Sequence, residues 1–473
     1  MKTHPLYLNG EFVQSEPAWD VIDPGRGEAV ARISTITRAR LAQAIADAHA
    51  AFPAWRQLTA KARGEYLRRT AAEVECRRDQ IARLISQENG KPLPQSLAEV
   101  AMTVDHLQWF AEEGRRAYGR LIPTQAEGKR NLVVKSPIGV VGAISPWNFP
   151  LVLGVRKLAP ALAAGCPVVL KPARQTPLSS VAFAECVHAA QLPNGVVQVV
   201  CGSSSEFGEE FLNNPFCRKV SFTGSTEVGR ILIRNASNSI KPLSLELGGN
   251  GPLLVFDDAD LNVAVEGALL AKMRNTGQSC IAANRLLVQR PIYARFLEGF
   301  VAKVNSLKVG EFAEPGVEIG PLIDEAAVRH AHGLVQDALK RNARLLCGGK
   351  RIERKGFFFE PTVLADVPHE AACLHEEIFA PIAPVTIFET EEEAFRNANA
   401  TSHGLSAYAF TRDFARIFRL AENLEAGSIG INDGLPTTSN APFGGLKQSG
   451  WGRELGSEGI DAFLETKHVS IRL

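Results

Sequence analysis

Val140-Val141-Gly142-Ala143-Ile144-Ser145-Pro146-Trp147-Asn148-Phe149-Pro150 decides the fold of this chain: a short apolar run of strand length ends in a polar turn that two prolines stiffen. The same theme recurs at Pro167-Val168-Val169-Leu170, at Val197–Val200 and at Lys219-Val220-Ser221-Phe222, with helical stretches over Ser179–Ala190 and Ser205–Asn213 between them. Strand alternating with helix predicts a parallel sheet covered on both faces. A second series starts near Pro252-Leu253-Leu254-Val255-Phe256 and runs through Arg285–Val288 and Ala383–Phe388, which predicts a second α/β domain. Upstream, Leu6–Val13 reads as a strand, and Arg38–Trp55 and Lys61–Glu88 carry apolar residues at helical spacing. Asn89-Gly90-Lys91-Pro92 is a stop signal for the second of these, and a further helix is expected from Gln95 to about Tyr118.

The bulk numbers exclude several classes. A chain of 473 residues, 45% hydrophobic and 22% charged, is an ordinary globular protein large enough for more than one domain. Its formal net charge is +1 with no block of like charge, so neither nucleic acid nor a membrane surface is an expected partner. No apolar run reaches the roughly 18–20 residues that span a bilayer, and Met1–Pro5 leads into polar sequence without a secretory segment, which points to the cytoplasm. Eight scattered cysteines without a C-x-x-C pair argue against disulfides and against structural zinc, and His330 and His332 lack companion ligands, so no metal is expected.

Five segments carry chemistry. Asn148 offers an amide at the end of a strand, or is a turn asparagine bonding its own backbone. Leu170-Lys171-Pro172-Ala173-Arg174 also follows a strand, where open parallel sheets bind ligands, so its cations face an anionic cofactor or form a solvated turn. Ser221-Phe222-Thr223-Gly224-Ser225-Thr226-Glu227-Val228-Gly229 runs strand, glycine turn, helix start, and helix N-termini hold phosphate; its glycines are five apart, so it is not the usual dinucleotide fingerprint. Leu245-Glu246-Leu247-Gly248-Gly249 sets a carboxylate among apolar residues, where burial raises its pKa towards that of a general base, or where it pairs with backbone. Arg274-Asn275-Thr276-Gly277-Gln278-Ser279-Cys280 ends in a cysteine that is a nucleophile or a buried small hydrophobe.

Together these segments resemble the aldehyde dehydrogenase superfamily over nearly the whole chain. Seven motifs carry the resemblance in order: Pro146–Pro150, Lys171-Pro172-Ala173, Phe222–Ser225, Leu245–Gly249, Gly277–Cys280, Glu377-Ile378-Phe379-Ala380-Pro381 and Pro442-Phe443-Gly444-Gly445. The resemblance implies that Cys280 attacks the aldehyde, that the Asn148 amide and the Cys280 backbone N–H hold the oxyanion, and that Glu246 activates the water that hydrolyses the thioester. It assigns Trp147, Lys171, Gly224, Ser225, Glu377 and Phe379 to the cofactor, with Ala380 where glycine is usual. Relatives that pass the acyl group to coenzyme A lack the base, so Glu246 points to a free acid; a silent binding homologue would not need the set Asn148, Glu246, Cys280.

Arg174 stands where many NAD-preferring relatives carry glutamate. A guanidinium pairs with a 2′-phosphate that a carboxylate would repel, so NADP is the preferred cofactor and NAD the alternative. Within the family the chain looks most like the succinate-semialdehyde dehydrogenase branch, through Asp257–Leu261, Val265–Leu269 and Ala283-Asn284-Arg285. That branch implies a substrate-carboxylate site of Arg156, Arg274 and Thr437, the last in place of a more usual serine. The competing reading makes the two arginines structural ion pairs. One methylene is worth about 1–3 kcal/mol of discrimination, so glutarate and 2-oxoglutarate semialdehydes stay open. Ala282 replaces a second cysteine that serves some relatives as a redox switch. The expected architecture is a Rossmann-type cofactor domain (1–118 and 137–248), an α/β catalytic domain (249–440) and a small β oligomerisation element (119–136 and 441–473), whose exposed edges predict a homodimer or homotetramer.

Overall fold

The computed structural model describes residues 1–473. Five parallel strands form the centre of an eight-stranded sheet, in the order Leu243–Glu246, Cys217–Thr223, Val140–Ile144, Val168–Lys171, Val197–Val199. Antiparallel strands close its edges: Gly450–Trp451 on one side, Leu6–Leu8 and then Glu11–Val13 on the other. The first two strands of the parallel series in chain order, Val140–Ile144 and Val168–Lys171, run one way across the sheet, and Cys217–Thr223 returns to the other side of Val140–Ile144. That reversal is a topological switch point, and its crevice opens at the carboxyl ends of Val140–Ile144 and Cys217–Thr223.

A seven-stranded sheet follows the order Arg344–Cys347, Thr362–Ala365, Ile382–Phe388, Ala283–Gln289, Gly251–Val255, Ser406–Phe410, Ser428–Ile431; all pairs are parallel except the first. Near-continuous apolar strands such as Gly251–Val255 are what two covered faces demand. A three-stranded antiparallel sheet joins Arg120–Ile122, Lys129–Pro137 and the terminal strand Leu464–Arg472. It has little core of its own: Leu121 and Val134 are exposed on it, and so is every residue of the last strand after Leu464.

The helix Val152–Ala164 is buried along all 13 residues. Its sequence is apolar except for Arg156 and Lys157, so two cations sit inside a helix with no solvated face. Such burial needs anionic or polar partners.

Three expectations shift. The stretch 61–88 is two helices, Ala60–Cys76 and Arg78–Asn89, because Arg77 leaves helical geometry (φ −100°, ψ 15°) while capping the first helix by its N–H to the Glu73 carbonyl. The helix expected to reach Tyr118 ends at Glu113 and passes into a single tight turn, Gly114–Arg116. The tail from 441 is not one element: Gly450–Trp451 extends the eight-stranded sheet, and Leu464–Arg472 alone joins the small sheet. No helix is long and apolar enough to cross a membrane.

Candidate active site

The crevice at the switch point is a cavity of about 200 Å³ lined by Pro146, Trp147, Asn148, Thr223, Gly224, Ser225, Leu247, Gly248, Cys280, Glu377 and Phe379. Seven of the residues singled out in the sequence therefore meet on one wall: Trp147, Asn148, Gly224, Ser225, Cys280, Glu377 and Phe379.

The segment before Cys280 is backbone under strain. Asn275 and Thr276 both hold left-handed conformations (φ 52° and 58°) and Gly277 follows at φ 72°. A Cβ on Gly277 would stand 2.2 Å from the Ala380 carbonyl oxygen, and one on Gly249 would stand 2.1 Å from that of Cys280. These close approaches seat the cysteine loop on the segments carrying Glu246 and Glu377. Burial pushes the Cys280 thiol up to about 12, Glu377 and Glu246 push the same way, and Arg156 opposes them. The resting group is a neutral thiol.

Asn148 is 3% exposed, and its Nδ2 donates to the Gln278 carbonyl at 3.2 Å. An amide nitrogen has two hydrogens, so one remains for an oxyanion. The asparagine's own carbonyl is clamped by Lys91 Nζ at 2.7 Å and Asn275 Nδ2 at 2.9 Å. Lys91 is ion-paired to Glu99 at 2.7 Å with both side chains fully buried. Glu99 Oε1 accepts the N–H groups of Leu151 and Val152, at 2.9 and 3.2 Å, where the next helix begins. A buried lysine, a buried glutamate and a helix start thus fix one loop.

Glu246 is 4% exposed and its Oε2 has no hydrogen-bond partner. Burial holds its pKa well above the usual carboxylate range; Glu454 adds to this, and Lys157, Arg156 and Arg453 pull it down. Lys157 Nζ bridges Glu454 Oε1 and Thr223 Oγ1, each at 2.6 Å. The orphaned Glu246 oxygen therefore lies near a second carboxylate that is itself ion-paired to Lys157. A carboxylate raised in this way is a stronger proton acceptor, once ionised, than an ordinary one.

Arg156 and Arg274 are not structural ion pairs. Neither forms a salt bridge, and two of the nearby buried acids are engaged elsewhere, Glu99 with Lys91 and Glu454 with Lys157. Arg156 is 6% exposed, its Nε has no partner, and its guanidinium lies over the Phe443 ring at 4.9 Å. Arg274 lies over the Phe149 ring at 4.9 Å and points Nη2 at the Met102 sulfur, 3.8 Å away. It also lines a second, mostly apolar cavity of about 1090 Å³, with Met102, Gln95 and Leu435 among its walls. Thr437 sits on the loop leading to Phe443, with its buried Oγ1 unpartnered.

The remaining residues suit a dinucleotide. Lys171 is 3% exposed, and its ammonium has one long bond, 3.3 Å to the neighbouring Pro172 carbonyl, so a buried cation is left short of acceptors. Ser225 caps the helix Thr226–Ala236 and leaves that N-terminus facing the cavity. Glu377 Oε1 accepts the Gly249 N–H at 3.0 Å, and burial pushes its carboxyl up to about 7. Phe379, held at φ 47°, packs edge-on against Trp147 at 5.3 Å. Lys171 and Arg174 do not line the 200 Å³ cavity; Arg174 is exposed and lies over the Trp19 ring at 4.8 Å.

A sequence model of the aldehyde dehydrogenase family matches residues 12–469. The chain belongs to the aldehyde dehydrogenase family. It is 48% identical over 468 residues to a succinate-semialdehyde dehydrogenase [NADP(+)] of Escherichia coli (strain K12), covering 98% of this chain and 97% of that one. It is equally 48% identical, over 467 residues, to a glutarate-semialdehyde dehydrogenase of Pseudomonas putida, with 98% and 97% covered. The crystal structure of a succinate-semialdehyde dehydrogenase from Burkholderia pseudomallei superposes with a TM-score of 0.98 at 46% identity, over 99% of this chain and 98% of that one. This aldehyde dehydrogenase also holds site residues that the sequence reading passed over: Lys91, Glu99, Asn275, Lys157 and Glu454. Lys91 had a signal, as a lysine wedged between the helix-stopping Gly90 and Pro92; Glu454 had none.

Proposed function

We propose that this enzyme oxidises a short semialdehyde with a distal carboxylate, succinate semialdehyde first, to the dicarboxylic acid with NADP as cofactor. One observation carries the reading: two guanidinium groups, Arg156 buried and Arg274 half-buried on a cavity wall, have no acid of their own. Buried cations without partners are costly, and a substrate carboxylate supplies the missing charge. Thr437 offers a hydroxyl to the same tail. A neutral aldehyde would leave both arginines unmatched, and a cationic one would be repelled.

The chemistry follows from the other wall. Cys280 Sγ adds to the aldehyde carbon, and its proton passes to solvent water as the thiohemiacetal oxyanion forms. The free Asn148 N–H and the Cys280 backbone N–H hold the oxyanion; losing one such donor typically costs about 10²–10³ in rate. A dinucleotide bound here would supply the hydride acceptor; Lys171 and Ser225 would hold its phosphate and adenosine end, and Glu377, Phe379 and Trp147 its nicotinamide end. Glu246 then takes a proton from the water that cleaves the Cys280 thioester, while Glu454 is held by Lys157.

Arg156→Ala and Arg274→Ala are each expected to lower kcat/KM for succinate semialdehyde roughly ten- to a hundred-fold, the worth of a charged hydrogen bond, and to lower that for butanal distinctly less. Unchanged semialdehyde kinetics would overturn the reading. Glutarate semialdehyde is the second reading, favoured by the space of about 1090 Å³ beyond Arg274. For the cofactor, Arg174 on Trp19 keeps its N–H edge available to a 2′-phosphate. A higher kcat/KM with NADP than with NAD is expected, and Arg174→Glu is expected to reverse the order; a clear NAD preference in the parent enzyme would refute the assignment.

In this reading residues 1–118 and 137–248 hold the cofactor and 249–440 the nucleophile. The small sheet, exposed on Leu121, Val134, Val469 and Ile471, is covered by another copy in a homodimer or homotetramer. The enzyme works in the cytoplasm.

A further inference from the structure

We infer that Phe149 and Phe443 are specificity-determining residues: their ring faces hold the guanidinium groups of Arg274 and Arg156 so that the N–H edges stay free for an anionic tail. The inference rests on the proposed role of the two arginines. Both rings are buried, Phe149 at 8% and Phe443 at 4% exposure, and each carries a guanidinium carbon 4.9 Å from its centroid.

A buried arginine is normally fixed by a carboxylate, which occupies its donors and cancels its charge. An aromatic face fixes it differently. The ring quadrupole attracts the cation from above and takes none of the in-plane N–H groups. The arginine is then oriented, desolvated and still electrically uncompensated, which suits it to a bidentate carboxylate. Phe149 does this under tension, since Lys91 Nζ sits over the same ring at 4.0 Å. Glu99 relieves the repulsion by pairing with Lys91. Phe149 also follows Asn148 directly, so one ring touches both the oxyanion loop and the tail-binding arginine.

The test compares Phe149→Leu, Phe149→Tyr, Phe443→Leu and Phe443→Tyr in the full-length enzyme, with succinate semialdehyde and with butanal, a neutral aldehyde of the same carbon count. Leucine keeps an apolar side chain and removes the π face; tyrosine keeps the face. Each leucine variant is expected to lose roughly five- to thirty-fold in kcat/KM for the semialdehyde, mainly through KM, with butanal changed less than about two-fold, and each tyrosine variant to restore the ratio. Equal losses on both substrates would show a ring that only shapes the wall, and would overturn the inference, as would a leucine variant with unchanged semialdehyde kinetics. Arg156→Ala and Arg274→Ala are run alongside. If they lose semialdehyde activity and the leucine variants do not, the platform fails and the carboxylate site stands; if the arginine variants lose nothing, the site itself fails.

Discussion

Cys280→Ala is expected to abolish aldehyde-dependent cofactor reduction, with a loss on the order of 10⁴-fold or more, the consequence of removing a covalent nucleophile. No other cysteine can take over. Cys76, Cys166, Cys186, Cys201, Cys217, Cys347 and Cys373 line neither the switch-point cavity nor the 1090 Å³ cavity beside Arg274. The substitution removes one sulfur from a half-buried position, so Tm and cofactor binding should be nearly those of the parent. Absorbance at the reduced-cofactor band measures the loss. A variant that keeps more than about a hundredth of parent activity would mean that the carbon–sulfur bond is not part of the reaction.

Glu246→Gln separates the two halves of the cycle. The first turnover needs Cys280 and the oxyanion donors, so a stoichiometric burst of reduced cofactor is expected. The thioester then persists, and steady-state turnover falls by roughly 10²–10⁴, the usual worth of a general base. The pH profile gives an independent sign. Burial and the neighbouring Glu454 hold Glu246 protonated to higher pH than an ordinary carboxylate. The basic form therefore grows as pH rises through that raised value, and deacylation of the parent enzyme should quicken with it. Glutamine has nothing to titrate, so the variant should lose this limb. Normal steady-state turnover in Glu246→Gln, or an unchanged limb, would remove Glu246 from the role.

Much of this site was legible because its chemistry lies in short contiguous runs. Asn148 between two prolines, Glu246 before two glycines and Cys280 after Gly277 each carry their own turn, and the alternation of strand and helix brings the turns to one end of a sheet. What escaped the sequence depends on pairs far apart in the chain. Glu454 reaches Lys157 across 297 positions, and nothing local marks either residue as a partner. Lys91 looks like part of a helix stop until the fold lays the Asn148 carbonyl 2.7 Å from its ammonium. The break at Arg77 has no glycine or proline to announce it, so periodicity ran straight through it. Whether Arg156 and Arg274 were ion pairs could be decided only by seeing that neither reaches a carboxylate and that Glu99 and Glu454 already hold lysines.

Arg156 has a consequence for anyone wishing to retarget the enzyme. It is the cation that opposes the upward push on the Cys280 thiol, and it pulls down Glu246 as well. In the proposed reading, the residue that recognises the substrate's far end thus also tunes the nucleophile and the base. Redesign for uncharged aldehydes by deleting it would leave both groups harder to ionise. The new catalyst would work best in more alkaline solution than its parent, so substrate range and working pH cannot be chosen independently in this scaffold.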